Sequence, residues 1–321
     1  MIDVVAERSP LGGLERWLDD PLINEIVVNG NGDIWIERSG SLARVATMST
    51  DALVTAIEHI LRPIGRRLDR SNPTVDARLP DGSRVCAVIE PISVDGPCLA
   101  IRRFPMRSLP LTAFTSTGVV ELLQRVVDSR CNVLISGPTS SGKTTLLNSL
   151  AGRISSNERI ITLEDVAELR LAHPHVVRLE SRLPTAEGAG EVTLQHLLRT
   201  ALRMRPDRLV LGEVRGAEAV PLVQAMNTGH DGSMATVHAN SAADALARVA
   251  SLVVQEVPGW PLGAVSEQVH RSIDVVIHLG RASDQRRRVA EICETSATGT
   301  VELRCLADLG GVRAALRKGR S

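Results

Sequence analysis

The sequence predicts an α/β protein: a small α+β domain over residues 1–104, then a larger domain over residues 113–321 whose mostly parallel sheet is covered by helices. Two observations predict it. Short apolar segments separated by turn residues dominate the first part, whereas predicted strands and helices alternate through the second. Residues 105–112 lose this periodicity and contain Pro105 and Pro110, which is typical of an interdomain linker.

Turn residues define the strands of the first part. An Asn-Gly-Asn-Gly segment separates the predicted strands 25–28 and 33–37, and Ser-Gly precedes a third strand over 42–45. Apolar residues at helical spacing then predict an amphipathic helix over 51–68, which Pro63 should distort or end early. Further strands are predicted over 75–79, 84–89 and 98–102, with Pro-Asp-Gly and Asp-Gly-Pro turns between them.

Strands and helices alternate in the second part, which favours a parallel sheet with helices on its faces. The predicted strands are 131–136, 159–163, 176–179, 208–211, 233–237 and 273–279. The predicted helices are 117–129, a helix after Lys143, 193–204, 217–227, 242–254 and 262–271. A hairpin-like pair over 288–293 and 300–306 completes the predicted fold.

Composition argues against several classes of function. The chain has 321 residues, of which 43% are apolar and 23% charged, as in soluble globular proteins. The formal net charge is zero and only 2% of the residues are aromatic, so neither a basic field nor stacking platforms favour nucleic acid as a partner. Five scattered cysteines without a Cys-x-x-Cys pair argue against a zinc site or a disulfide framework.

The sequence also argues against direct membrane insertion. Charged residues interrupt the N-terminus, and no uninterrupted apolar run reaches the length of a membrane span. We therefore expect a cytosolic protein that another protein must hold at any membrane where it acts.

The strongest motif is the segment 137–145, in which a glycine and four further residues precede Gly-Lys-Thr. It follows an apolar strand and precedes a helix with leucines at helical spacing, which is the context that a phosphate-binding loop requires. The loop N–H groups would hold phosphates, Lys143 would reach the outer ones and the Thr144 hydroxyl would ligate Mg²⁺. The candidate nucleotide-binding residues are Gly137, Pro138, Thr139, Ser140, Ser141, Gly142, Lys143, Thr144 and Thr145.

Acidic residues follow two of the predicted strands. Glu213 ends the segment Arg208-Leu-Val-Leu-Gly-Glu, and the pair Glu164 and Asp165 ends the strand 159–163. Ligands bind at the carboxyl edge of such sheets, so these carboxylates would reach a bound nucleotide. One acid would fix Mg²⁺ and the other would accept a proton from the attacking water, and the residues alone leave open which does which. A solvated strand end and a helix-starting acid pair are the structural alternatives.

Two histidines flank the strand 233–237. His230 precedes it and His238 follows it, and both are expected to approach the same edge of the sheet. There an imidazole would donate a hydrogen bond to the terminal phosphate and respond to its presence. A purely structural histidine is the alternative at each position.

Arginines are supplied by both parts of the chain. Arg203 shares a helix face with Arg199, and Arg84 and Arg102 occupy strand positions in the first part. An arginine from a neighbouring subunit would stabilise the charge that develops during phosphoryl transfer. For any single arginine, a solvated surface charge is the alternative.

Together these segments resemble the secretion-type traffic ATPases, a branch of the RecA-like P-loop NTPases that powers type II secretion, type IV pili and conjugative type IV secretion. The resemblance rests on the phosphate loop, the acidic box over 161–165, the acid strand over 209–215 and the histidine box over 228–240. The segment 201–234 is most similar to the subfamily that assembles tight-adherence (Flp) pili. Residues 75–84 and 101–104 resemble the N-terminal domain of that subfamily, so the resemblance covers roughly residues 20 to 280.

This resemblance implies a RecA-like ATPase domain behind a small N-terminal domain, assembled as a hexameric ring that hydrolyses ATP with Mg²⁺. It implies Glu164 as the water-activating base, Glu213 as the Mg²⁺-linked acid and His238 as the γ-phosphate sensor. Arg84, Arg102 and Arg203 become candidates for phosphate or cross-subunit contacts, with His230 beside them in the histidine box. The implied partner is a polytopic inner-membrane platform protein, which would hold the ring at the inner face of the cytoplasmic membrane.

Other functions compete with this interpretation. A conjugative type IV secretion ATPase would share every catalytic residue, although the four-cysteine zinc module of type II secretion members is absent from the sequence. A RecA-like motor that translocates nucleic acid is less favoured because of the zero net charge and the scarce aromatic residues. The third alternative is a nucleotide switch that does not hydrolyse ATP, or a structural member of a ring.

Overall fold

The structure is a computed structural model of the whole chain. It describes residues 3–4, 11–20, 22–38, 41–103, 109–139, 141–182, 184, 189–281, 287–295, 303–308 and 311–316. The predicted linker 105–112 and the loop residue Ser140 therefore lie wholly or partly outside the described residues. The chain divides into two compact units, Met1–Arg107 and Ser108–Ser321.

In the part of the chain that the structure describes, the first unit is an α+β unit with one seven-stranded sheet in the order β1-β4-β3-β2-β7-β6-β5. Its strands are β1 (Asp3–Val4), β2 (Ile23–Val28), β3 (Asp33–Arg38), β4 (Ser41–Thr47), β5 (Thr74–Arg78), β6 (Arg84–Val88) and β7 (Cys98–Arg102). Its helices are α1 (Glu15–Leu18) and α2 (Thr50–Leu61). The Ser49 hydroxyl caps α2 by accepting from the Ala52 N–H, and a 3-10 turn containing Pro63 follows the helix, as the sequence predicts.

The described residues of the second unit form a nine-stranded sheet in the order β10-β9-β11-β12-β8-β13-β14-β15-β16. Its strands are β8 (Val133–Gly137), β9 (Ile160–Glu164), β10 (Val176–Glu180), β11 (Arg208–Leu211), β12 (Met234–His238), β13 (Val275–Arg281), β14 (Arg287–Thr295), β15 (Leu303–Asp308) and β16 (Gly311–Val312). Its helices are α3 (Thr117–Asp128), α4 (Lys143–Ala151), α5 (Leu194–Ala201), α6 (Ala219–Asn227), α7 (Ala242–Glu256) and α8 (Leu262–Ser272). The predicted α/β fold is confirmed.

Helices cover both faces of this sheet because its central strands are apolar on both sides. Residues of α3 and α4 pack with alternate residues of β8, such as Val133 and Ile135, into one buried cluster. Residues of α5, α6, α7 and α8 pack with the intervening Leu134 into a second cluster on the other face. A strand buried on both faces reads as a continuous apolar run, which is the signal that β8 and β11 give in the sequence.

The strands β8 to β13 are mutually parallel, so this part of the sheet has two chemically distinct edges. We call the edge at which these strands end the carboxyl edge. It carries Gly137, Glu164 and His238, the last residues of β8, β9 and β12. The opposite edge, where the strands begin, is the amino edge.

The amino edge is closed by buried polar side chains. Arg208, 2% exposed, donates to both carboxylate oxygens of Glu158 at 2.7 and 2.9 Å and to the carbonyls of Val127 and Gly232. Arg130 pairs with the same carboxylate. A methyl group on Gly232, whose φ is +80°, would lie 1.7 Å from an Arg208 nitrogen, so only glycine leaves room for this arginine.

A buried asparagine connects three further elements at this edge. Asn132 donates through its side-chain amide to the carbonyls of Met226 and Ser272 and accepts from the Ser233 N–H. These bonds join the ends of α6 and α8 to the turn before β12.

Among the described residues, no helix is both long and apolar enough to cross a membrane.

Candidate functional site

The phosphate loop connects β8 to α4 at the carboxyl edge. Gly137 has a φ of +152° and Gly142 a φ of +94°, a region that residues with a side chain seldom adopt. A methyl group on Gly137 would also lie 2.7 Å from the carbonyl oxygen of Leu279, so β13 passes too close for any other residue. The sequence therefore places its two motif glycines where the backbone requires them. The hydroxyl of Ser141 is buried and has no hydrogen-bond partner among the described residues.

Lys143, the first residue of α4, is only 7% exposed. Its amine donates to the carbonyl oxygens of Gly137 and Pro138, both at 3.0 Å, and lies 3.3 Å from Nδ1 of His238. Burial lowers the pKa of Lys143, and the nearby Glu213 carboxylate partly opposes that shift. The amine is therefore held by neutral carbonyl oxygens, and negatively charged ligand oxygens would bind it more strongly.

His238 links this lysine to an acid. Its Nε2 lies 2.9 Å from Glu213 Oε1, while its Nδ1 faces the Lys143 amine, which can only donate. The ring is therefore the neutral tautomer that carries its proton on Nε2 and donates it to Glu213. Burial and the charge of Lys143 lower the pKa of His238, which agrees with a neutral ring.

Arg215 extends the same chain of contacts to the loop after β9. Its guanidinium donates to Glu213 Oε2 at 2.5 Å and lies 3.9 Å from Asp165 Oδ2. The Ser181 hydroxyl also donates to Asp165, at 3.1 Å. The bond to Glu213 raises the pKa of Arg215. A continuous series of polar contacts thus runs from Lys143 through His238, Glu213 and Arg215 to Asp165.

Glu164 is a buried acid at this edge. It is 3% exposed, and its Oε1 accepts the backbone N–H groups of Glu168 and Leu169 at 2.9 and 2.8 Å. Oε2 is also buried and has no hydrogen-bond partner in the described part of the chain. Burial raises the pKa of Glu164 from 4.5 to about 7, although the two N–H bonds oppose the shift.

Gly212 makes room for this acid. It follows β11 directly, and a methyl group there would lie 3.0 Å from Glu164 Cγ. The side chain of Glu164 therefore lies against the bare backbone of the neighbouring strand. A carboxylic acid whose pKa is near neutral and whose second oxygen is unpaired is suited to accept or release a proton.

Comparison with known proteins identifies the family. The sequence model of the family described as Type II/IV secretion system protein matches residues 7–316. The chain belongs to that family. A putative conjugal transfer protein of Mycobacterium tuberculosis is 37% identical over 299 residues, which is 89% of this chain and 84% of that protein. The type IV secretion system protein PtlH of Bordetella pertussis is 35% identical over 319 aligned positions, 88% of this chain and 93% of that protein.

Solved structures of secretion ATPases share the fold. The VirB11 ATPase of the Brucella suis type IV secretion system, crystallised with sulphate, is 28% identical with a TM-score of 0.50, covering 91% of this chain and 96% of that one. The Legionella pneumophila ATPase DotB has a higher TM-score, 0.67, at 20% identity, and covers 93% of this chain and 85% of DotB. The predicted resemblance to the secretion family and its RecA-like domain is confirmed.

In this secretion-family chain, the structure brings Lys143, His238 and Glu213 together at the carboxyl edge. Thr144 and Thr145 lie half-buried in the first turn of α4, beside the lysine. Glu164 lies at the same edge, but its described hydrogen bonds go to its own loop. The roles assigned to these residues stay predictions.

Two predicted site residues lie at the opposite edge. His230 precedes β12 and is half-buried at the amino edge, whereas His238 ends the strand, so the expectation that both histidines approach one edge is wrong. The chain between the two histidines runs along β12 from the amino edge of the sheet to its carboxyl edge. Arg203 is exposed in the turn between α5 and β11, also at the amino edge, so it is remote from the phosphate loop of its own chain.

Arg84 and Arg102 are cross-strand neighbours on β6 and β7 of the first unit. Arg84 is half-exposed and pairs with Asp76 through two bonds. Contact of either arginine with a phosphate or a neighbouring subunit stays a prediction.

Two residues of the site were missed by the sequence interpretation. Arg215 follows Glu213 by two positions and therefore points to the same side of an extended chain, which is the signal that would have identified it. Gly212 lies between β11 and Glu213 in the sequence, and its place beside Glu164 depends on pairing between β9 and β11. Only strand order and register reveal that contact.

Proposed function

We propose that this chain hydrolyses ATP with Mg²⁺ and acts as the motor of a type II/IV secretion-class machine. The observation that carries the proposal is the contact series from Lys143 through His238 to Glu213 beneath a phosphate loop. The names of the solved relatives, which are ATPases of secretion systems, support the same activity.

The residues present fit ATP and Mg²⁺. Both motif glycines hold the loop open, the lysine amine is held by exchangeable carbonyl contacts, and Thr144 offers a hydroxyl at the N-terminus of α4. Thr144 and, through water, Glu213 would hold the metal ion. Bound Mg²⁺ would neutralise charge on the phosphates.

The mechanism follows from the hydrogen-bond partners and protons that the chain's own side chains can exchange. Lys143 leaves the carbonyls of Gly137 and Pro138 to bind outer phosphate oxygens. His238 then loses its lysine partner at Nδ1, so the hydrogen bonding of this ring changes when a terminal phosphate is present. Glu164, with a pKa of about 7, accepts a proton from the attacking water when it is ionised.

We propose further that the chain forms a hexameric ring that docks on a polytopic inner-membrane platform at the cytoplasmic face. The sequence favours two roles for this motor, which are assembly of tight-adherence pili and protein secretion. Conjugal transfer is the second candidate, and it is supported by relatives of that name with 37% and 34% identity. Capture of the membrane partner from cells by a tagged chain, with identification of the platform protein, tests which machine it serves.

The first test of the proposed activity is Lys143→Ala. We expect ATP turnover to fall on the order of 1,000-fold, because a buried phosphate-binding cation is lost. Release of phosphate from purified protein is the measurement. The matched control is Arg153→Ala, which removes an exposed cation just beyond the other end of α4 and should leave turnover unchanged. Wild-type turnover in the Lys143→Ala protein would overturn the site assignment.

A further inference from the structure

The hairpin formed by β13 and β14 borders the phosphate loop on the side away from β12. It touches both motif glycines. The Leu279 carbonyl oxygen on β13 is 2.7 Å from the position of a methyl group on Gly137, and Arg287 Cδ on β14 is 3.4 Å from the corresponding position on Gly142. Arg287 therefore extends its aliphatic stem along the loop where α4 begins.

The position of Arg287 is fixed by its strand. Val289, two residues further on, points to the same face of β14 and is buried in the cluster formed with α3 and α4. The Val289 N–H donates to the carbonyl of Phe114 at 3.0 Å, and the Phe114 ring lies 3.6 Å from the methyl position on Gly142. Packing thus directs Arg287 to the face of the sheet that carries α4.

The charge of Arg287 is unfavourable at this place unless an anion is present. A cation at the N-terminus of a helix is repelled by the positive end of the helix dipole. The side chain is exposed, and it has no hydrogen bond or ion pair with any described residue. By contrast, the other cation of the loop, Lys143, is held by two carbonyl oxygens.

We infer that Arg287 is a nucleotide-binding residue whose guanidinium binds the phosphates that ADP and ATP share. Lys143 and His238 meet near Gly137 and Pro138, which identifies the end of the loop where the outer phosphate lies. Arg287 lies against Gly142, at the other end of the loop, and so faces the inner phosphates. This inference rests on the proposed function, because it assumes that a nucleotide occupies the loop.

Arg287 is expected to act in nucleotide binding and not in the chemical step. A contact with phosphates common to substrate and product is equally strong in the ground and transition states, so its loss raises KM and leaves kcat unchanged. A charge-assisted hydrogen bond at an exposed site corresponds to a change in affinity on the order of 10-fold. ADP and ATP should weaken by the same factor, whereas a contact with the γ-phosphate would affect ATP alone.

The experiment compares Arg287→Ala, Arg287→Lys and Arg288→Ala with the wild-type chain. Arg288 is the matched control, because it is also exposed and adjacent but its side chain points to the opposite face of the strand. Dissociation constants for ADP and ATP, and kcat at saturating ATP, are measured for all four proteins. We expect Arg287→Ala to weaken both nucleotides about 10-fold with unchanged kcat, Arg287→Lys to restore part of the affinity, and Arg288→Ala to behave as wild type.

Each other outcome has one meaning. Equal affinities in wild type and Arg287→Ala overturn the inference, as does an equal loss in Arg288→Ala, which would show a general charge effect. A loss for ATP alone, or a fall in kcat, overturns the assignment to the inner phosphates. A wild-type chain that binds neither nucleotide overturns the proposed function itself.

Discussion

The two edges of the nine-stranded sheet both contain buried charge, but they treat it differently. At the amino edge, the guanidinium of Arg208 is enclosed by a carboxylate and by backbone carbonyls. At the carboxyl edge, the Glu164 carboxyl has one buried oxygen without a described partner, and the Lys143 amine is held only by carbonyls and a histidine. At the amino edge, the Arg208 guanidinium has its hydrogen-bond partners within the chain. At the carboxyl edge, Glu164 and Lys143 can still form hydrogen bonds with a ligand.

This difference follows from what a buried charge costs. A charge removed from water must be paired and hydrogen-bonded, or it destabilises the fold and changes its own pKa. The amino edge meets this requirement within the chain, so its charges serve the folded state. The carboxyl edge meets this requirement only in part. The incomplete pairing of its buried groups agrees with the raised pKa of Glu164 and the lowered pKa values of Lys143 and His238. Groups perturbed in this way cluster at functional sites.

The largest effect on stability is expected from breaking the amino edge. Arg208→Met removes the guanidinium and leaves Glu158, whose side chain is 15% exposed, paired with Arg130 alone. We expect the free energy of unfolding to fall by about 3 kcal/mol, because one partner of a buried ion pair is lost. Urea denaturation measures this change, and phosphate release per folded molecule should remain that of wild type.

Gly232→Ala provides an independent way to break the same contact. Its methyl group would overlap the Arg208 guanidinium, and its backbone would be strained, so it should destabilise the chain without touching the phosphate loop. If neither Arg208→Met nor Gly232→Ala lowers the free energy of unfolding, the polar contacts at the amino edge do not stabilise the fold.

The second prediction concerns Glu164 and pH. Its pKa is raised from 4.5 to about 7, so its contribution to stability is present below pH 4.5 and is lost as the pH rises through 7. Glu164→Gln cannot ionise, so we expect it to gain stability relative to wild type between pH 5 and pH 8, by about 2.5 kcal/mol. Unfolding in urea at the two pH values measures the gain.

The same substitution should have the opposite effect on activity. If Glu164 is the base, wild-type turnover rises as the pH passes through about 7, and Glu164→Gln removes most of it. Asp165→Asn is the matched control, since it makes the same chemical change on the next residue, whose side chain is 47% exposed. An equal loss of turnover in Asp165→Asn would mean that the effect is not specific to Glu164. Normal hydrolysis by Glu164→Gln would remove it as the base.

The elements of the second unit could be predicted because their signals are local. The strand β8, the glycines of the loop and the leucines of α4 lie within twenty residues of sequence, and each residue type reflects its own backbone or burial. Hydrogen bonds between distant residues gave no such signal. Lys143 and His238 are 95 positions apart, and Arg208 and Glu158 are 50 apart. Both contacts depend on strand order.

The error at His230 has a simple physical reason. A parallel strand begins at one edge of the sheet and ends at the other, so residues immediately before and after it cannot share an edge. Similarity of the two histidines within one motif suggested a common task, whereas the direction of β12 separates them. The direction of α5 separates Arg203 from the loop in the same way, because that helix returns to the amino edge.

The smallest effect is expected from the histidines, and it compares the two edges along one strand. His238→Ala interrupts the contact between Lys143 and Glu213, so we expect kcat to fall about 10-fold with ADP affinity unchanged, equivalent to about 1.4 kcal/mol. Because the His238 side chain is 35% exposed, its loss should change stability by less than about 1 kcal/mol. His230→Ala, at the other end of β12, should leave kcat unchanged. Equal losses of kcat in the two variants would mean that the edge of the sheet does not decide which histidine acts in turnover.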